Sequence, residues 1–576
     1  MAKRRDVLKG GAAALATTPA IFGGSMLPRV AQAQLCRPEG LITPETEPLS
    51  PQVTYFDQPI YIPPAMAEVD PALLDPGPNN GRFRHQRFNE FPPVKFYIQQ
   101  ETEGYWNYHP TLSALADPVQ KRGSLAWMFN NATPGETLVA RYGEPCFVRR
   151  FNNLPHAEDA QIQEFGYPAT TTHLHNAHVG SESDGFPMDF QEPGEFWDHH
   201  YAMIYARHDY REALGSLWYH DHMIDFTATN VYAGLSGMAI FYDHIDSGDE
   251  NDLNESALRL PGGYGQYDLY FILHDVRFTA QGQPTYNVFN TDGHLGDVIT
   301  VNRKAFPFHE VEPRKYRLRW LDGGPSRFYE LAFFEHVEGG GATRPVSSET
   351  PIGFLSIAND GNLLEEPVDT TTIVIGPANR IDVIVDFSGF RGKTIDVLNL
   401  MEQINGQGPT GRRLQGPDRV PVMQFRVKDV NTEDNSRVPD FLRALPDIDL
   451  GEVVAEREWV FDHDMGLWTV NGQFMDPTIT SAYPKQGTAE IWRFRNAGAT
   501  WAHPVHVHFE EAQILTWNGR PPTGVGKSRK DVFTIGPGDD VRVFYRFDDF
   551  LSRYPIHCHN NTHEDNAMML TWEIVP

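Results

Sequence analysis

The stretch IGPANRIDVIVDF at residues 375–387 returns as IGPGDDVRVFYRF at residues 535–547, an offset of 160 residues. After the shared Ile-Gly-Pro turn, both copies place apolar residues at alternate positions, which predicts a strand with one buried and one solvent-exposed face. A second element occurs three times, as EPCFVRRFNN from Glu144, EPRKYRLRWLDGG from Glu312 and TAEIWRFRNAG from Thr488. A repeat of about 170 residues has the size of a whole domain. The repeats therefore predict an all-β chain of three tandem, related domains.

The composition of the 576-residue chain agrees with a strand-rich fold and excludes several functions. It contains 49 glycines and 44 prolines, which suits short strands joined by many turns. Its net charge of −28 argues against nucleic acid or anionic lipid as a partner, because a negative surface repels phosphate groups. Three cysteines are too few for a disulfide scaffold or a four-cysteine zinc site.

Polar, acidic runs near residues 245 and 430 are typical of linkers. We therefore expect domain 1 over residues 34–245, domain 2 over residues 246–430 and domain 3 over residues 431–576. The irregular, proline-rich segment at the start of domain 1 is expected to wrap around that domain.

Residues 1–33 are predicted to be a signal peptide. A basic start, an apolar stretch of small residues at 10–27 and Ala-Gln-Ala at 31–33 are the three parts of a cleavable export signal. The arginine pair at residues 4–5 resembles a twin-arginine signal. We expect export by the twin-arginine machinery and a periplasmic or secreted protein. An N-terminal membrane anchor is the alternative, but the stretch is short for a span, and we expect no stable membrane insertion of the mature chain.

Four histidine-rich motifs predict the chemistry: HLHNAH from His173, WYHDHM around His220, HPVHVHF from His503 and HCHNNTHEDNAMM from His557. Each contains His-x-His. On a strand, alternate residues lie on one face, so such a pair presents two imidazoles to one region. One pair is weak evidence, because strands often carry two surface histidines. Four pairs predict a polynuclear metal site at the interface between the first and third domains.

The ligand types favour copper. Cys558, His563 and Met568 are spaced Cys-x₄-His-x₄-Met, and His503 completes a set of two imidazoles, one thiolate and a weak thioether, which is typical of blue copper. Zinc more often takes several cysteines or a carboxylate, and non-haem iron prefers carboxylates among its ligands. A buried, inert thiol is the alternative for Cys558. Eight other histidines have no thiolate or carboxylate assigned as a fellow ligand: His173, His175, His220, His222, His506, His508, His557 and His559.

The four motifs, in this order, resemble the copper-binding motifs of multicopper oxidases. LWYHDHM, NVYAGLSG, EVEPRKYRLR and HEDNAMM are similar to segments of spore-coat-type bacterial laccases, bilirubin oxidases and phenoxazinone synthase, and the resemblance runs from about residue 50 to the end. It implies three cupredoxin-like Greek-key β-barrels and four copper ions. The implied ligands of the type 1 copper, in domain 3, are His503, Cys558, His563 and axial Met568. Those of the type 2 copper are His173 and His506. Those of the type 3 pair are His175, His220, His222, His508, His557 and His559.

The resemblance also implies a laccase-like reaction. A small reducing substrate, a phenol or an aromatic amine, would lose single electrons to the type 1 copper through the exposed edge of His503. Cys558 would pass these electrons to the other coppers, where O₂ is reduced to water. Asp184 and Glu564 match acidic residues that assist proton delivery in the family, although surface charge is the usual role of a carboxylate.

Several residues near the motifs depart from the family pattern or have no assigned role. Asn176 stands where the family usually has His-x-His-Gly, and we expect it to affect packing or water access. His178 is expected to be a surface residue or a neighbour of the ligands. We expect His199 and His200 on the surface or in a channel wall. Glu510-Glu511 is predicted either near the substrate mouth or in solvent.

Alternative functions remain at this point. One is a metal oxidase acting on Mn(II) or Cu(I), although the 14 methionines form no Met-rich insertion. Another is a copper-free structural or cell-division protein on the same fold, although the ligand histidines, Cys558 and Met568 are all present. A third alternative is a two-domain protein that resembles nitrite reductase, but it would account for neither the three predicted domains nor the implied type 3 pair. We also expect a monomer. An oxidising compartment favours a disulfide between Cys36 and Cys146, with two unpaired thiols as the alternative.

Overall fold

The structure is a computed structural model that describes residues 48–78, 84–162, 165–337, 345–464 and 466–576. The predicted signal peptide and Cys36 lie outside the described residues, so the possible Cys36–Cys146 disulfide stays a prediction. Cys146 itself is buried. Among the described residues, no helix has both the length and the apolar character needed to cross a membrane.

The first group of strands lies between residues 95 and 242. Its members are β1 (Lys95–Trp106), β2 (Ser124–Phe129), β3 (Gly135–Arg141), β4 (Cys146–Asn152), β5 (Thr172–His175), β6 (Phe196–Tyr201), β7 (Ser216–Asp221) and β8 (Ser236–Tyr242). They form one sheet in the order β2-β1-β4-β6 and another in the order β3-β8-β7-β5.

The second group lies between residues 268 and 427. Its members are β9 (Asp268–Val276), β10 (Val298–Val301), β11 (Lys304–Ala305), β12 (Phe308–Val311), β13 (Lys315–Asp322), β14 (Tyr329–Glu335), β15 (Phe354–Asn359), β16 (Asn362–Thr370), β17 (Ile373–Ile375), β18 (Arg380–Asp386), β19 (Thr394–Asn399) and β20 (Val420–Val427). The sheet orders are β11-β10-β9-β13-β18-β15-β16 and β12-β20-β19-β14-β17.

The third group lies between residues 453 and 573. Its members are β21 (Val453–Asp464), β22 (Leu467–Val470), β23 (Thr488–Asn496), β24 (His503–Val507), β25 (Ala512–Trp517), β26 (Arg529–Lys530), β27 (Val532–Ile535), β28 (Asp540–Phe547), β29 (Arg553–Cys558) and β30 (Met569–Glu573). The sheet orders are β22-β21-β23-β28-β25-β26 and β27-β24-β29-β30.

Helices are short and lie between the strands. The α-helices are α1 (Pro110–Ala116), α2 (Ser181–Asp184), α3 (Thr227–Ala233) and α4 (Asn561–Asp565). Single 3₁₀ turns occur at Pro71–Leu73, Ala206–His208, Tyr210–Glu212, Ser388–Phe390, Gly416–Asp418, Leu450–Glu452 and Gly524–Gly526.

The threefold repeat in the sequence corresponds to a repeated strand arrangement. The three copies of the second element contain β4, β13 and β23. Each of these strands pairs in parallel with an earlier strand of its group, namely β1, β9 or β21. Each pairs antiparallel with a later one, namely β6, β18 or β28. The prediction of an all-β fold is confirmed. The domain boundaries near residues 245 and 430 fall between the strand groups and stay a prediction.

The two copies of the Ile-Gly-Pro stretch differ in burial. In β28 the alternate residues from Val541 to Phe547 are buried and Arg542 and Arg546 on the other face are partly exposed, as predicted, although Phe544 between them is buried. In β18 both faces are buried. Asp382, on the face predicted to be exposed, accepts a hydrogen bond of 2.7 Å from Ser216 of β7. The predicted exposed face of β18 is therefore wrong, because the first strand group packs against it.

A buried guanidinium joins the three strand groups beside the histidine motifs. Arg380 of β18 donates to both carboxylate oxygens of Asp531, at 2.6 and 2.5 Å, between β26 and β27. Its Nε donates to the Ser216 carbonyl at 3.0 Å. The side chains of Arg380 and Asp531 are both fully buried. This ion pair therefore holds the segment that carries Asp531 against the other two groups.

Arg380→Met is expected to destabilise the protein by about 3–5 kcal/mol, because it leaves the Asp531 carboxylate buried without its cation. Differential scanning calorimetry should show a clearly lower apparent Tm, which is the appropriate quantity for a chain of several domains. Arg542→Met is the control. The side chains of Arg542 and Glu456, which form an ion pair, are 38 % and 47 % exposed. Such exposed ion pairs contribute little to stability. Equal Tm values for the two variants would contradict the role given to Arg380.

Candidate metal centre

The histidine-rich motifs lie on paired strands. In the first group, β5 and β7 are antiparallel neighbours, with His173 opposite His220. In the third group, β24 and β29 are antiparallel neighbours, with His506 opposite His557. The two strand pairs face each other, so that residues over 300 positions apart in the chain come into contact. The structure thus brings the four motifs together at the junction of the first and third strand groups.

Eight of the predicted ligand histidines form three groups, which together are called the histidine cluster. Within each group, one nitrogen per residue lies within 4.8 Å of the others. In the last group the three Nε2 atoms are 3.2–3.3 Å apart. The groups are His173, His175 and His506; His175, His220 and His559; and His222, His508 and His557.

Backbone carbonyls fix the orientation of several rings. His173 Nδ1 bonds to the Asp184 carbonyl at 2.6 Å, and His506 Nδ1 bonds to the Asp531 carbonyl at 2.9 Å. The Nε2 atoms of both rings are buried and have no hydrogen-bond partner among the described residues. Such an atom is costly to bury, and a metal ion would supply its missing partner. The donor set therefore fits bound metal, and in His173 and His506 the second nitrogen of the ring is fixed as in known metal sites.

Burial favours the neutral form of six of the eight imidazoles. It lowers the pKa of His559 to about 3. Neutral imidazole is the form that binds metal ions, and imidazole ligands without thiolates or carboxylates suit copper. Burial lowers the pKa well below the ordinary value for His175, His220, His222, His506 and His508.

Cys558 belongs to a separate site with His503 and His563. Its Sγ lies 3.5 Å from His503 Nδ1 and 3.6 Å from His563 Nδ1, and these two nitrogens are 3.3 Å apart. His563 Nε2 donates to the Asp292 carbonyl at 2.9 Å, which leaves Nδ1 for a metal. Burial raises the pKa of the Cys558 thiol well above its usual value, so a bound cation has to displace the proton. Met568 is buried together with Cys558 in the apolar core of the third strand group.

The Cys558 site and the histidine cluster are joined through β29. The Cys558 sulfur faces His503 and His563. The neighbouring His557 belongs to one group of the cluster and His559 to another. A few covalent bonds therefore connect the thiol to two imidazoles of the cluster.

The expectation that one edge of His503 is exposed to solvent is wrong. His503 and His563 are both 0 % exposed. Trp468 stacks on His563 with ring centroids 3.7 Å apart, and the partly exposed His463 packs on Trp468 at 4.1 Å. Trp468 was missed because no motif near β22 distinguishes it from an ordinary core tryptophan.

Asp184 and Glu564 both contact the cluster and are buried, so neither is a surface charge. His508 Nδ1 bonds to Asp184 Oδ2 at 2.7 Å. The Glu564 oxygens lie 3.3 Å from His222 Nδ1 and 3.1 Å from His557 Nδ1. Burial raises the pKa of Asp184.

Asn176 explains how the chain does without the family's glycine. Its φ of 68° lies in the left-handed region that Gly adopts freely and Asn tolerates better than most residues. The backbone therefore keeps the conformation that Gly would allow. The side chain adds a hydrogen bond from Asn176 Nδ2 to Glu511 Oε1.

The remaining residues of the motifs are placed as follows. His178 bonds to Asp549 at 3.0 Å and belongs to none of the ligand groups found among the described residues. His199 and His200 are buried on β6, so the expected surface position is wrong. Glu510 and Glu511 are 7 % and 9 % exposed, so the solvated alternative is wrong for both.

Comparisons with known proteins agree with this arrangement. Two family models described as multicopper oxidase match residues 113–245 and 452–576. The bilirubin oxidase of Albifimbria verrucaria is 33% identical over 532 residues, which cover 90% of this chain and 81% of that protein. A laccase of Bacillus subtilis (strain 168) is 28% identical, over 78% of this chain and 90% of that protein.

Solved structures agree on the fold. The crystal structure of a laccase from Pediococcus acidilactici matches with a TM-score of 0.70 at 22% identity, over 92% of this chain and 95% of that one. The fold is thus that of the cupredoxin-like domains of these enzymes. The chain belongs to the multicopper oxidase family, and is an oxidoreductase that transfers electrons from a reducing substrate to O₂.

Proposed function

We propose that this protein is a laccase-like oxidase of phenols and aromatic amines, which couples four one-electron oxidations to the reduction of O₂ to two waters. The observation that carries the proposal is the meeting of all four histidine-rich motifs in one thiol-containing site and an adjacent histidine cluster. The names of the relatives, a bilirubin oxidase and laccases, support an organic substrate. Mn(II) or Cu(I) is the alternative substrate.

We further propose four copper ions, which supply one-electron redox chemistry when bound. His503, Cys558 and His563 would hold the type 1 copper, with Met568 as the axial ligand. His173 and His506 would hold the type 2 copper, and His175 lies near both. The type 3 pair would be held by His175, His220 and His559 on one side and by His222, His508 and His557 on the other. The three groups of nitrogens, each within 4.8 Å, support this division.

The carboxylates that contact the cluster are proposed to supply protons. Asp184 bonds to His508 and Glu564 lies beside His222 and His557, so each is within reach of the place where O₂ is reduced. Carboxylates can take a proton from water and pass it on within hydrogen-bond distance.

Location and assembly are also proposals. The basic, apolar and Ala-Gln-Ala parts of residues 1–33 support export by the twin-arginine machinery, and hence a periplasmic or secreted protein. We propose a monomer of three domains with the boundaries given above.

Copper analysis with an absorption spectrum tests the copper assignment. We expect four copper ions per chain, an intense blue band from the thiolate site and a near-ultraviolet shoulder from the type 3 pair. Protein isolated from copper-supplemented cells with no bound copper and no blue band would favour the copper-free structural alternative.

An oxygen-consumption screen tests the substrate. The copper-loaded protein is offered phenols, aromatic amines, bilirubin, Mn(II) and Cu(I) under the same conditions. The highest kcat/KM is expected for a phenol or an aromatic amine. A clear preference for either metal ion would replace the organic substrate in the proposal.

A further inference from the structure

A polar pocket leads from the surface to the buried Glu511. Its walls include Arg207, Glu212, Glu510 and Arg546. A wider outer pocket of about 280 Å³ shares Arg207, Glu212 and Arg546 with the inner one. The outer pocket is also lined by Asp447, whose side chain is 89 % exposed. The two pockets adjoin at the three shared residues, and Glu511 lines the inner one.

From the inner end of the pocket, a chain of contacts reaches the histidine cluster. Arg529 Nη2 lies 2.5 Å from Glu212 Oε2 and 3.3 Å from Glu511 Oε2. Glu511 Oε1 accepts the hydrogen bond from Asn176 Nδ2. Asn176 directly follows His175, which belongs to two groups of the cluster.

The inner part of this chain of contacts is shielded from solvent. The Glu511 side chain is 1 % exposed and Asn176 is fully buried. Asn176 Oδ1 is buried without a hydrogen-bond partner among the described residues, so it can accept a hydrogen bond from a water molecule. A buried carboxylate is costly unless it is paired, and Glu511 shares its nearest cation, Arg529, with Glu212.

Three carboxyl groups, those of Asp184, Glu564 and Asp531, contact the cluster directly. Asp184 Oδ2 bonds to His508 Nδ1 and Asp184 Oδ1 lies 3.3 Å from His173 Nδ1. Glu564 contacts His222 and His557. Asp531 Oδ1 lies 3.5 Å from His175 Nε2 and is paired with Arg380. Glu511 approaches the same part of the cluster through Asn176, and of these four carboxyls it is the one that lines the polar pocket. The pocket is therefore a separate path to the cluster.

We propose that Glu511 delivers protons from this pocket to the histidine cluster, and that Asn176 is its positioning residue. The proposal rests on the copper assignment above. The protonated carboxyl of Glu511 gives its proton to a water at Asn176 Oδ1, and that water passes a proton on toward the site where O₂, four electrons and four protons become two waters. The Glu511 carboxylate then takes a new proton from water in the pocket, and solvent replaces that proton.

The charges around Glu511 agree with this role. Burial raises the pKa of the Glu511 carboxyl, Arg529 lowers it, Asp531 raises it and Arg380 lowers it, and the net shift is upward. Glu212, on the far side of Arg529, shares that positive charge with Glu511. A carboxyl with a raised pKa is protonated more often near neutral pH, as a proton donor must be.

The test compares Glu511→Gln and Asn176→Gly with Glu510→Gln, a control that removes the neighbouring buried carboxyl of the same pocket. Each copper-loaded protein is reduced without O₂, mixed with O₂ in a stopped-flow instrument, and followed through the recovery of the blue band from about pH 5 to pH 8. We expect Glu511→Gln to slow reoxidation about ten-fold at the high end of this range and less at the low end. Asn176→Gly should show a smaller slowing with the same trend, and Glu510→Gln should behave like the wild type.

Infrared spectroscopy gives a measurement that does not depend on turnover. A pH titration of the copper-free protein should show the C=O band of a buried protonated carboxyl, which disappears in Glu511→Gln and shifts in Asn176→Gly. Unchanged reoxidation in Glu511→Gln, an equal slowing in Glu510→Gln, or loss of copper in Glu511→Gln would each overturn the proposal. If the wild type itself lacks copper and the blue band, the copper assignment has failed instead.

Discussion

Replacing Cys558 by Ser is expected to abolish both the blue band and substrate oxidation while the protein stays folded. The Cys558 sulfur is the soft ligand placed 3.5 and 3.6 Å from the two ring nitrogens, and only a thiolate gives the intense charge-transfer band of a blue site. It is also covalently connected to His557 and His559 of the cluster. The new hydroxyl is buried in an apolar cluster, which lowers the free energy of unfolding by about 1–3 kcal/mol. A protein with three groups of packed strands can tolerate that loss.

Cys146→Ser is the matched control for this prediction. Cys146 is also fully buried, but it belongs to none of the ligand groups found among the described residues. Its variant should keep the blue band and the activity. Absorption spectra, copper analysis and circular dichroism of both variants are compared. A Cys558→Ser protein that stayed blue would refute the assignment of the type 1 site.

Asp184→Asn and Glu564→Gln are expected to slow the reaction with O₂ about 100-fold, the low end of the range for a lost proton donor. Both changes keep the size of the side chain and an oxygen that can accept a hydrogen bond, such as the 2.7 Å bond from Thr227 Oγ1 to Glu564. They remove the transferable proton. Negative charge that develops on oxygen among neutral imidazoles is then left uncompensated, which is costly in a buried site.

The two half-reactions, measured separately, identify the affected step. Under anaerobic conditions the blue band should be bleached by substrate at nearly the wild-type rate in both variants. Reoxidation by O₂ should be slow, most of all at high pH where protons are scarce. Copper content should be unchanged. Normal reoxidation in both variants would exclude a role in proton delivery, whereas loss of copper would show that the carboxylates hold the ligands in place.

The sequence alone was sufficient for the features that depend on local pattern. Alternate apolar residues in 541–547 identify a strand, because side chains on a strand point to opposite faces in turn. Repeats as long as a domain identify tandem related units. The His-x-His pairs predict shared faces for the same geometric reason, and the spacing of Cys558, His563 and Met568 keeps these residues on one short segment.

The tertiary structure decided which faces are covered and which histidines meet. Sequence periodicity shows that β18 has two faces, but only packing shows that Ser216 covers the second one. Only packing also shows that His503 is buried, because aromatic rings that include Trp468 cover its site. The contact of His508 with Asp184 spans 324 residues and that of Asn176 with Glu511 spans 335 residues. Such contacts leave no local pattern in the chain, because they arise only when separate strand groups pack together.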